Sequence, residues 1–194
     1  MLEFIENIDI KTSLFINNLH CGILDFLMFN ITQWYCACMV YAILVFAFVA
    51  VKKKQWWQYI LFLAFALIAV SLVISVFIKP CVARLRPCNT AELQGMLHIV
   101  RKYTAESFSF LSSHAATGFT IATFVHASLR KRHISILIFL WAFVYSYSRI
   151  YLGVHFFGDV LCGAVFGIFC GKIFNSLYAF RGKFTKLFLK KLPE

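Results

Sequence analysis

The sequence predicts an all-α bundle that crosses a membrane, with about five to six membrane helices and an interfacial helix at the N-terminus. Of the 194 residues, 61% are hydrophobic and 14% are charged, whereas a soluble domain has about 25% charged residues. The apolar residues form runs close to the length that spans a bilayer. Lys and Arg cluster at the ends of these runs, as they do beside membrane helices.

The segments can be assigned in order along the chain. Acidic and apolar residues alternate near the start, so residues 1–32 are expected to be an interfacial or half-inserted segment. The spans are expected at about 35–51, from the Trp56-Trp57 belt to 78, and at 115–129, 134–151 and 156–180. A polar loop, 79–108, separates the second span from the third, and a basic tail, 181–194, ends the chain. We expect one integral-membrane domain over 1–194.

The charges differ between the two ends of this bundle. One end holds the 52–54 and 130–133 loops, Lys172 and the tail, with twelve Lys and Arg against one acid. The other end has seven of each sign. Basic loops stay in the cytoplasm, so the second end should face the periplasm or the exterior. The net charge of +11 does not indicate a nucleic-acid partner, because no basic face is interleaved with aromatic residues.

Polar residues on the outward end fit a tetrahedral oxyanion such as phosphate. Arg binds phosphate as a planar fork and Lys as a point charge, while serines and helix N-termini add donors. The candidate cations are Lys79, Arg86 and Arg149, the donors are Ser112 and Ser113, and the titratable groups are His114, His155 and Asp159. Arg84, Arg101 and Lys102 are interpreted as interfacial anchors, and the other histidines as structural.

Two helix starts are expected to point at the anion. Ser112 is a suitable N-cap for the third span. Gly153 can end the fourth span, which would place His155 in the first turn of the fifth. Both helix N-termini would then direct N–H groups at one phosphate.

The imidazoles indicate the reaction. A neutral His155 can attack phosphorus to form a phosphohistidine. Asp159, four residues on, would accept its other ring proton, and His114 would protonate the leaving oxygen and later activate water. Besides Asp159, the loops near the site offer only Glu92 and Glu106, too few carboxylates for a two-metal site. We therefore expect no metal and no cofactor.

At these residues the chain resembles the type 2 phosphatidic acid phosphatase superfamily. Lys79 to Pro87 is similar to its K-x6-RP element, 111–114 to its PSGH element and 148–159 to its SR-x5-H-x3-D element. Leu111 and Ser113 depart from the second element, at its Pro and its Gly. The resemblance implies the roles given above: five phosphate-binding residues, His155 as nucleophile, Asp159 as its partner and His114 as acid and base.

The resemblance also implies a substrate, a phosphorylated membrane lipid, and a site in the bacterial cytoplasmic (inner) membrane. Lipid A phosphate is the first expectation, undecaprenyl diphosphate the second and phosphatidylglycerophosphate the third. The sequence is also compatible with a phosphotransferase and with a non-catalytic lipid-binding protein. A disulfide between Cys81 and Cys88 is left open beside two unpaired thiols.

Overall fold

The structure, a computed structural model, describes residues 2–189 and, from residue 3 to 182, their side chains. In that range every regular element is helical, which confirms the predicted fold class. The α-helices are α1 (Leu2–Asn18), α2 (Gly22–Ile31), α3 (Trp34–Lys52), α4 (Trp56–Leu72), α5 (Lys79–Val82), α6 (Ser113–Leu129), α7 (Arg132–Tyr151) and α8 (Phe157–Leu189). A π-helical segment, Val73–Ile78, joins α4 to α5, and the loops contain short 3₁₀ turns.

Three stretches are long and apolar enough to cross a membrane: Trp34–Val82, Arg132–Tyr151 and Phe157–Gly182. The first contains a hairpin, because α3 and α4 meet at the 3₁₀ turn Lys53–Gln55 and the rings of Phe48 and Tyr59 stack at 5.4 Å. The pair formed by α1 and α2, bent by 113°, would be a fourth.

The centre of the bundle is α6, which is buried along most of its 17 residues. It packs against a stripe of glycines that repeats every fourth residue on α8. A Cβ at Gly163 would lie 2.7 Å from the carbonyl oxygen of Ser112, and one at Gly167 only 2.3 Å from that of Ala116. The two backbones therefore touch directly, as small residues allow in membrane helices. This contact sets the N-terminus of α6 beside that of α8, where the Ser112 N–H donates to Asp159 O at 3.1 Å.

The helix α1 turns its polar face towards the bundle. Asp9, Ser13 and Asn17, spaced by four residues, are all buried, whereas Phe4 and Phe15 on its other side are largely exposed. Asn17 donates to the carbonyl oxygen of Tyr151 at 2.7 Å, so α1 is tied to the end of α7.

The loop between α5 and α6 folds over the same end of the bundle. The Ser109 N–H donates to Arg84 O at 2.8 Å, and the Cys88 N–H to Gly153 O at 3.1 Å. Cys81 and Cys88 are both free thiols.

Two boundaries differ from the prediction. The helix before the loop continues past residue 78 to Val82 through its π-helical segment. The last helix extends to Leu189, so the first part of the predicted basic tail is helical. Lys190, Lys191 and the rest of that tail lie outside the described residues.

Candidate active site

His155 lies in the short connection between α7 and α8. Gly153 has a φ of +68°, the left-handed backbone that ends a helix, and the chain then turns towards α8. The backbone N–H of His155 donates to Arg149 O at 3.2 Å, which fixes the imidazole next to the end of α7. The prediction that His155 occupies the first turn of the last helix is wrong, because α8 begins two residues later, at Phe157.

Contacts of the His155 ring define its tautomer. The Nη1 of Arg86 lies 3.1 Å from Nε2, and because a guanidinium only donates, Nε2 must carry the lone pair. The proton of the neutral ring is therefore on Nδ1, which lies 3.3 Å from Ser109 Oγ and 3.6 Å from Asp159 Oδ2. An imidazole in this form has an unprotonated Nε2, as a nucleophile requires, although its lone pair accepts from Arg86 and is available for attack only when Arg86 turns this donor elsewhere.

The environment of His155 keeps the ring neutral. Burial lowers the pKa of His155 to about 3; Asp159 opposes this shift, and the positive charges of Arg86 and Arg149 add to it. The residue is 2% exposed. At neutral pH the imidazole is thus in its neutral form, with one ring proton.

Asp159 is held by donors on both of its oxygens. Its Oδ2 accepts from the Phe156 N–H at 2.9 Å and from the hydroxyl of Ser109, while Oδ1 accepts from Arg84 at 2.8 Å. The carboxylate caps its own helix and faces the Nδ1 side of His155. Asp159 Oδ2 and His155 Nδ1, 3.6 Å apart, lie beyond hydrogen-bond distance, so the acceptance of the ring proton by Asp159 stays a prediction; the two residues meet at the turn before α8 and not on a shared helix face.

Three cations that the sequence singled out are buried here. Lys79, Arg86 and Arg149 are 8%, 4% and 2% exposed. None of the three is paired with a carboxylate of the described residues. Burial of unpaired charge is costly unless an anion completes the site. The cluster is therefore a candidate anion site.

Neutral oxygens orient two of these cations. Ser107 Oγ accepts from Lys79 at 3.4 Å and from Arg86 at 2.9 Å, and its carbonyl oxygen accepts from Arg86 as well. Burial and the nearby charge of Arg149 lower the pKa of Arg86. Ser107 thus sets Lys79 and Arg86 side by side.

Arg149 has an unused donor. Its two terminal nitrogens each lie 3.2 Å from the hydroxyl of Tyr103, whereas its buried Nε has no hydrogen-bond partner among the described residues. A guanidinium with a buried free N–H is suited to a phosphate oxygen.

Ser112, Ser113 and His114 form the start of α6. Ser112 is the N-cap, as predicted, and its Oγ accepts from the Ala115 N–H at 3.5 Å. Ser113 and His114 line a cavity of about 500 Å³ that α3, α4 and α7 complete. The His114 ring packs on Tyr145 at 5.0 Å and makes no hydrogen bond to another described side chain.

The N-terminus of α8 does not point at the anion site. Its N–H groups at Phe157 and Gly158 donate to Ser13 and Asp9 of α1, at 2.8 Å and 2.6 Å. The expectation that two helix N-termini serve one phosphate is wrong on this point, because only α6 offers such a terminus among the described helices.

The interpretation of Arg84 as an interfacial anchor is also wrong. It is no lipid anchor: it bridges Asp9 at 2.7 Å and Asp159 at 2.8 Å and stacks on the Phe156 ring at 4.0 Å. The two carboxylates outweigh burial and raise its pKa. Ser107, Ser109 and Tyr103 were missed as well. For the serines, the one available signal was their place in the polar cluster before α6.

The geometry can be compared with known proteins. Residues 56–183 match the model of the PAP2 superfamily, and they contain every candidate residue given above. The chain belongs to the PAP2 superfamily. It is therefore a membrane phosphatase.

Relatives of this PAP2 phosphatase have been described in two bacteria. It is 35% identical over 178 residues to the lipid A 4'-phosphatase of Bacteroides thetaiotaomicron, covering 90% of this chain and 78% of that one. It is 27% identical over 184 residues to the lipid A 4'-phosphatase of Porphyromonas gingivalis, covering 92% of this chain and 76% of that one.

Solved structures share the fold. The crystal structure of Aquifex aeolicus LpxE matches with a TM-score of 0.67 and 30% identity, over 85% of this chain and 93% of that one. A PAP2-type phosphatidylglycerolphosphate phosphatase of Bacillus subtilis matches with a TM-score of 0.66 over 90% of this chain and 86% of that one, at 19% identity. The second likeness concerns the fold alone.

Proposed function

We propose that this PAP2 phosphatase removes a phosphate group from lipid A at the periplasmic face of the bacterial inner membrane. The observation that carries the proposal is the cluster of Lys79, Arg86 and Arg149, three buried cations without a carboxylate partner in the described chain. The lipid is chosen from the two curated relatives, both of which are lipid A 4'-phosphatases.

In this proposal the phosphate is held by the three cations and by the start of α6. Lys79 supplies a point charge and Arg149 a planar fork. Arg86 adds its charge and the Nη2 donor that its contacts with Ser107, Val154 and His155 leave over. Ser112 and Ser113 add hydroxyl and backbone donors at a helix N-terminus, where the dipole favours an anion. These donors also stabilise the charge that builds on the phosphoryl oxygens during transfer.

The first step transfers the phosphoryl group to His155. The lone pair at Nε2 attacks phosphorus, the N–P bond forms, and the bond from phosphorus to the lipid oxygen breaks. Burial and the charge of Arg149 lower the pKa of His114, so the negative charge of the bound phosphate has to raise it before His114 can give a proton to the leaving oxygen. Asp159 stabilises the positive charge that the phosphorylated imidazole acquires, while Nδ1 keeps its proton.

The second step returns the enzyme to its starting state. Neutral His114 takes a proton from water, the oxygen attacks phosphorus, and the N–P bond breaks. Inorganic phosphate leaves, and Nε2 of His155 regains its lone pair and its contact with Arg86. The proposal requires no metal. That expectation remains a prediction, to be tested with EDTA.

The proposed position of the site relative to the membrane is based on the distribution of charged residues and on the order of the helices. One integral-membrane domain over 1–194 would place the site at the outer surface, with the 181–194 tail in the cytoplasm. The lipid head group would reach the cations while its acyl chains stay in the bilayer.

The test offers purified protein a panel of lipids and measures phosphate release. Lipid A, undecaprenyl diphosphate and phosphatidylglycerophosphate are compared, with and without EDTA, for wild type and His155→Ala. Lipid A should be preferred, EDTA should change nothing, and His155→Ala should lose at least about 10³-fold in kcat. If phosphate is released from one of the other lipids and not from lipid A, that lipid is the substrate. If the phosphoryl group is transferred to an added alcohol, the protein is a phosphotransferase. No release from any lipid would favour a binding protein.

A further inference from the structure

The N-terminal helix α1 presents its polar face to the site. Asp9, Ser13 and Asn17 face the bundle and are 9%, 4% and 0% exposed. Phe4 and Phe15, on the opposite side, are 68% and 66% exposed. A helix bound only by an apolar face would have the reverse arrangement. The docking of α1 therefore depends on specific hydrogen bonds.

Two of these bonds cap α8 from a distant part of the chain. The hydroxyl of Ser13 accepts from the Phe157 N–H at 2.8 Å, and Asp9 Oδ1 accepts from the Gly158 N–H at 2.6 Å. N–H groups of the first turn have no partner inside their own helix, so they need such acceptors. The fit is close, because a Cβ at Gly158 would lie 3.1 Å from Asp9 Oδ2.

The second oxygen of Asp9 is linked through Arg84 to Asp159, the carboxylate next to His155. The guanidinium donates to Asp9 Oδ2 at 2.7 Å through Nη2 and to Asp159 Oδ1 at 2.8 Å through Nη1. One planar group thus links a carboxylate of α1 with a carboxylate that faces His155. Such two-sided contacts leave a guanidinium little freedom to turn.

We propose that Asp9 is a positioning residue for phosphoryl transfer, acting on Asp159 through Arg84. The inference rests on the proposed role of His155. Asp9, Arg84 and Asp159 together carry one net negative charge. Asp159 can therefore still stabilise a positive charge on the imidazole of His155. Without the charge of Asp9, Arg84 neutralises Asp159, which then stabilises a positively charged phosphohistidine less.

The test is Asp9→Asn, which keeps an oxygen for the Gly158 N–H and replaces the oxygen that accepts from Arg84 with an amide donor, so the charge and the bond to Arg84 are lost together. Turnover of p-nitrophenyl phosphate is measured, so that the result does not depend on the identity of the lipid. We expect kcat to fall about tenfold while KM changes less than about twofold, because the loss concerns charge that develops in the transition state. Glu6→Gln is the matched control: it removes the same charge from an exposed position of α1 and should leave both constants unchanged.

A double-mutant cycle separates positioning from folding. Asp9→Asn, Arg84→Gln and the double variant are compared in kcat and in thermal midpoint. If Asp9 acts through Arg84, the double variant should be no slower than Arg84→Gln alone. Multiplied losses in kcat, or a loss in Asp9→Asn confined to the thermal midpoint, would overturn the inference.

The two proposals fail in different ways. If wild-type turnover persists in His155→Ala, the proposed nucleophile is wrong. If turnover is lost in His155→Ala but stays at the wild-type level in Asp9→Asn, the reaction stands and the role of Asp9 does not.

Discussion

At the scale of single residues, Arg149 shows how a buried side chain indicates its ligand. Its terminal nitrogens contact only the hydroxyl of Tyr103, and its Nε has no partner among the described residues. A neutral hydroxyl cannot compensate a buried guanidinium. The planar fork, rather than positive charge alone, is thus expected to matter.

We predict that Arg149→Lys keeps the fold but loses function. The ammonium retains the charge and cannot donate from the Nε position, so kcat/KM for phosphate release should fall at least about tenfold. The thermal midpoint should change little. Arg101→Lys, an exposed arginine that packs on Phe29 at 4.8 Å, is the control and should retain full kcat/KM. Equal activity of Arg149→Lys and wild type would argue against bidentate binding.

The low pKa of His155 predicts how stability depends on pH. An unfolded histidine has a pKa of about 6.5, whereas that of the folded residue is about 3. Between these values the unfolded chain binds more protons, so this group destabilises the fold as pH drops, by at most about 1.4 kcal/mol for each pH unit. Above about pH 6.5 the effect vanishes.

The measurement compares thermal midpoints of wild type and His155→Gln at about pH 7.5 and about pH 5, without phosphate. Wild type should lose more stability on acidification than the variant, which lacks the titrating group. An equal loss in both proteins would show that His155 is protonated in the folded state.

Residues could be predicted where their chemistry conflicts with their neighbours. His155, Asp159 and Arg149 stand out in the sequence because they lie between apolar runs, and in the structure the His155 N–H donates to Arg149 O while its ring lies 3.6 Å from Asp159. The role of Arg84 could not be predicted, because an arginine near a span commonly anchors the chain at the membrane interface. The role of its partner Asp9 could not be predicted either. The roles of both residues depend on the contact between them. They lie 75 positions apart, so no local sequence pattern indicates this contact.

At the scale of elements, the same limit appears at helix ends. Each of the five spans predicted from hydropathy lies close to a described helix, although α6 is not among the three stretches that are long and apolar enough to cross a membrane. The start of α8 lies one residue from the predicted 156, but its capping residues could not be predicted, because they lie on α1 and not next to it in the sequence. Glycines on α8 were likewise not singled out, although they decide how closely α6 approaches.

We predict that Gly167→Ala destabilises the bundle and also lowers activity. The added Cβ would lie 2.3 Å from the carbonyl oxygen of Ala116, so α6 and α8 must separate. Overpacking of this kind costs about 1–3 kcal/mol. The separation also moves Ser112 away from Asp159, so kcat should fall together with the thermal midpoint.

The control is Gly22→Ala, where a Cβ meets nothing within 4 Å. It should leave kcat unchanged and keep the thermal midpoint at or above that of wild type. If Gly167→Ala behaves like this control, the glycine stripe does not determine the distance between the helices.

At the scale of the whole molecule, the fold gives the two membrane surfaces different roles. The turns Lys53–Gln55 and 130–131 lie at one end, and the loop over the candidate site lies at the other. The first end is rich in Lys and Arg, so the tendency of basic loops to stay in the cytoplasm predicts that it is the cytoplasmic end. Substrate access from the periplasmic leaflet depends on this orientation.

We predict opposite labelling of Lys54→Cys and Glu92→Cys, each made in a chain whose seven native cysteines have been replaced. Both positions are exposed, one in the turn after α3 and the other in the loop over the site. In intact spheroplasts a membrane-impermeant maleimide should react with Glu92→Cys only. Lys54→Cys should react after permeabilisation, which also controls for thiol reactivity. The reverse pattern would place the anion site in the cytoplasm, and the phosphate would then have to come from a lipid of the inner leaflet.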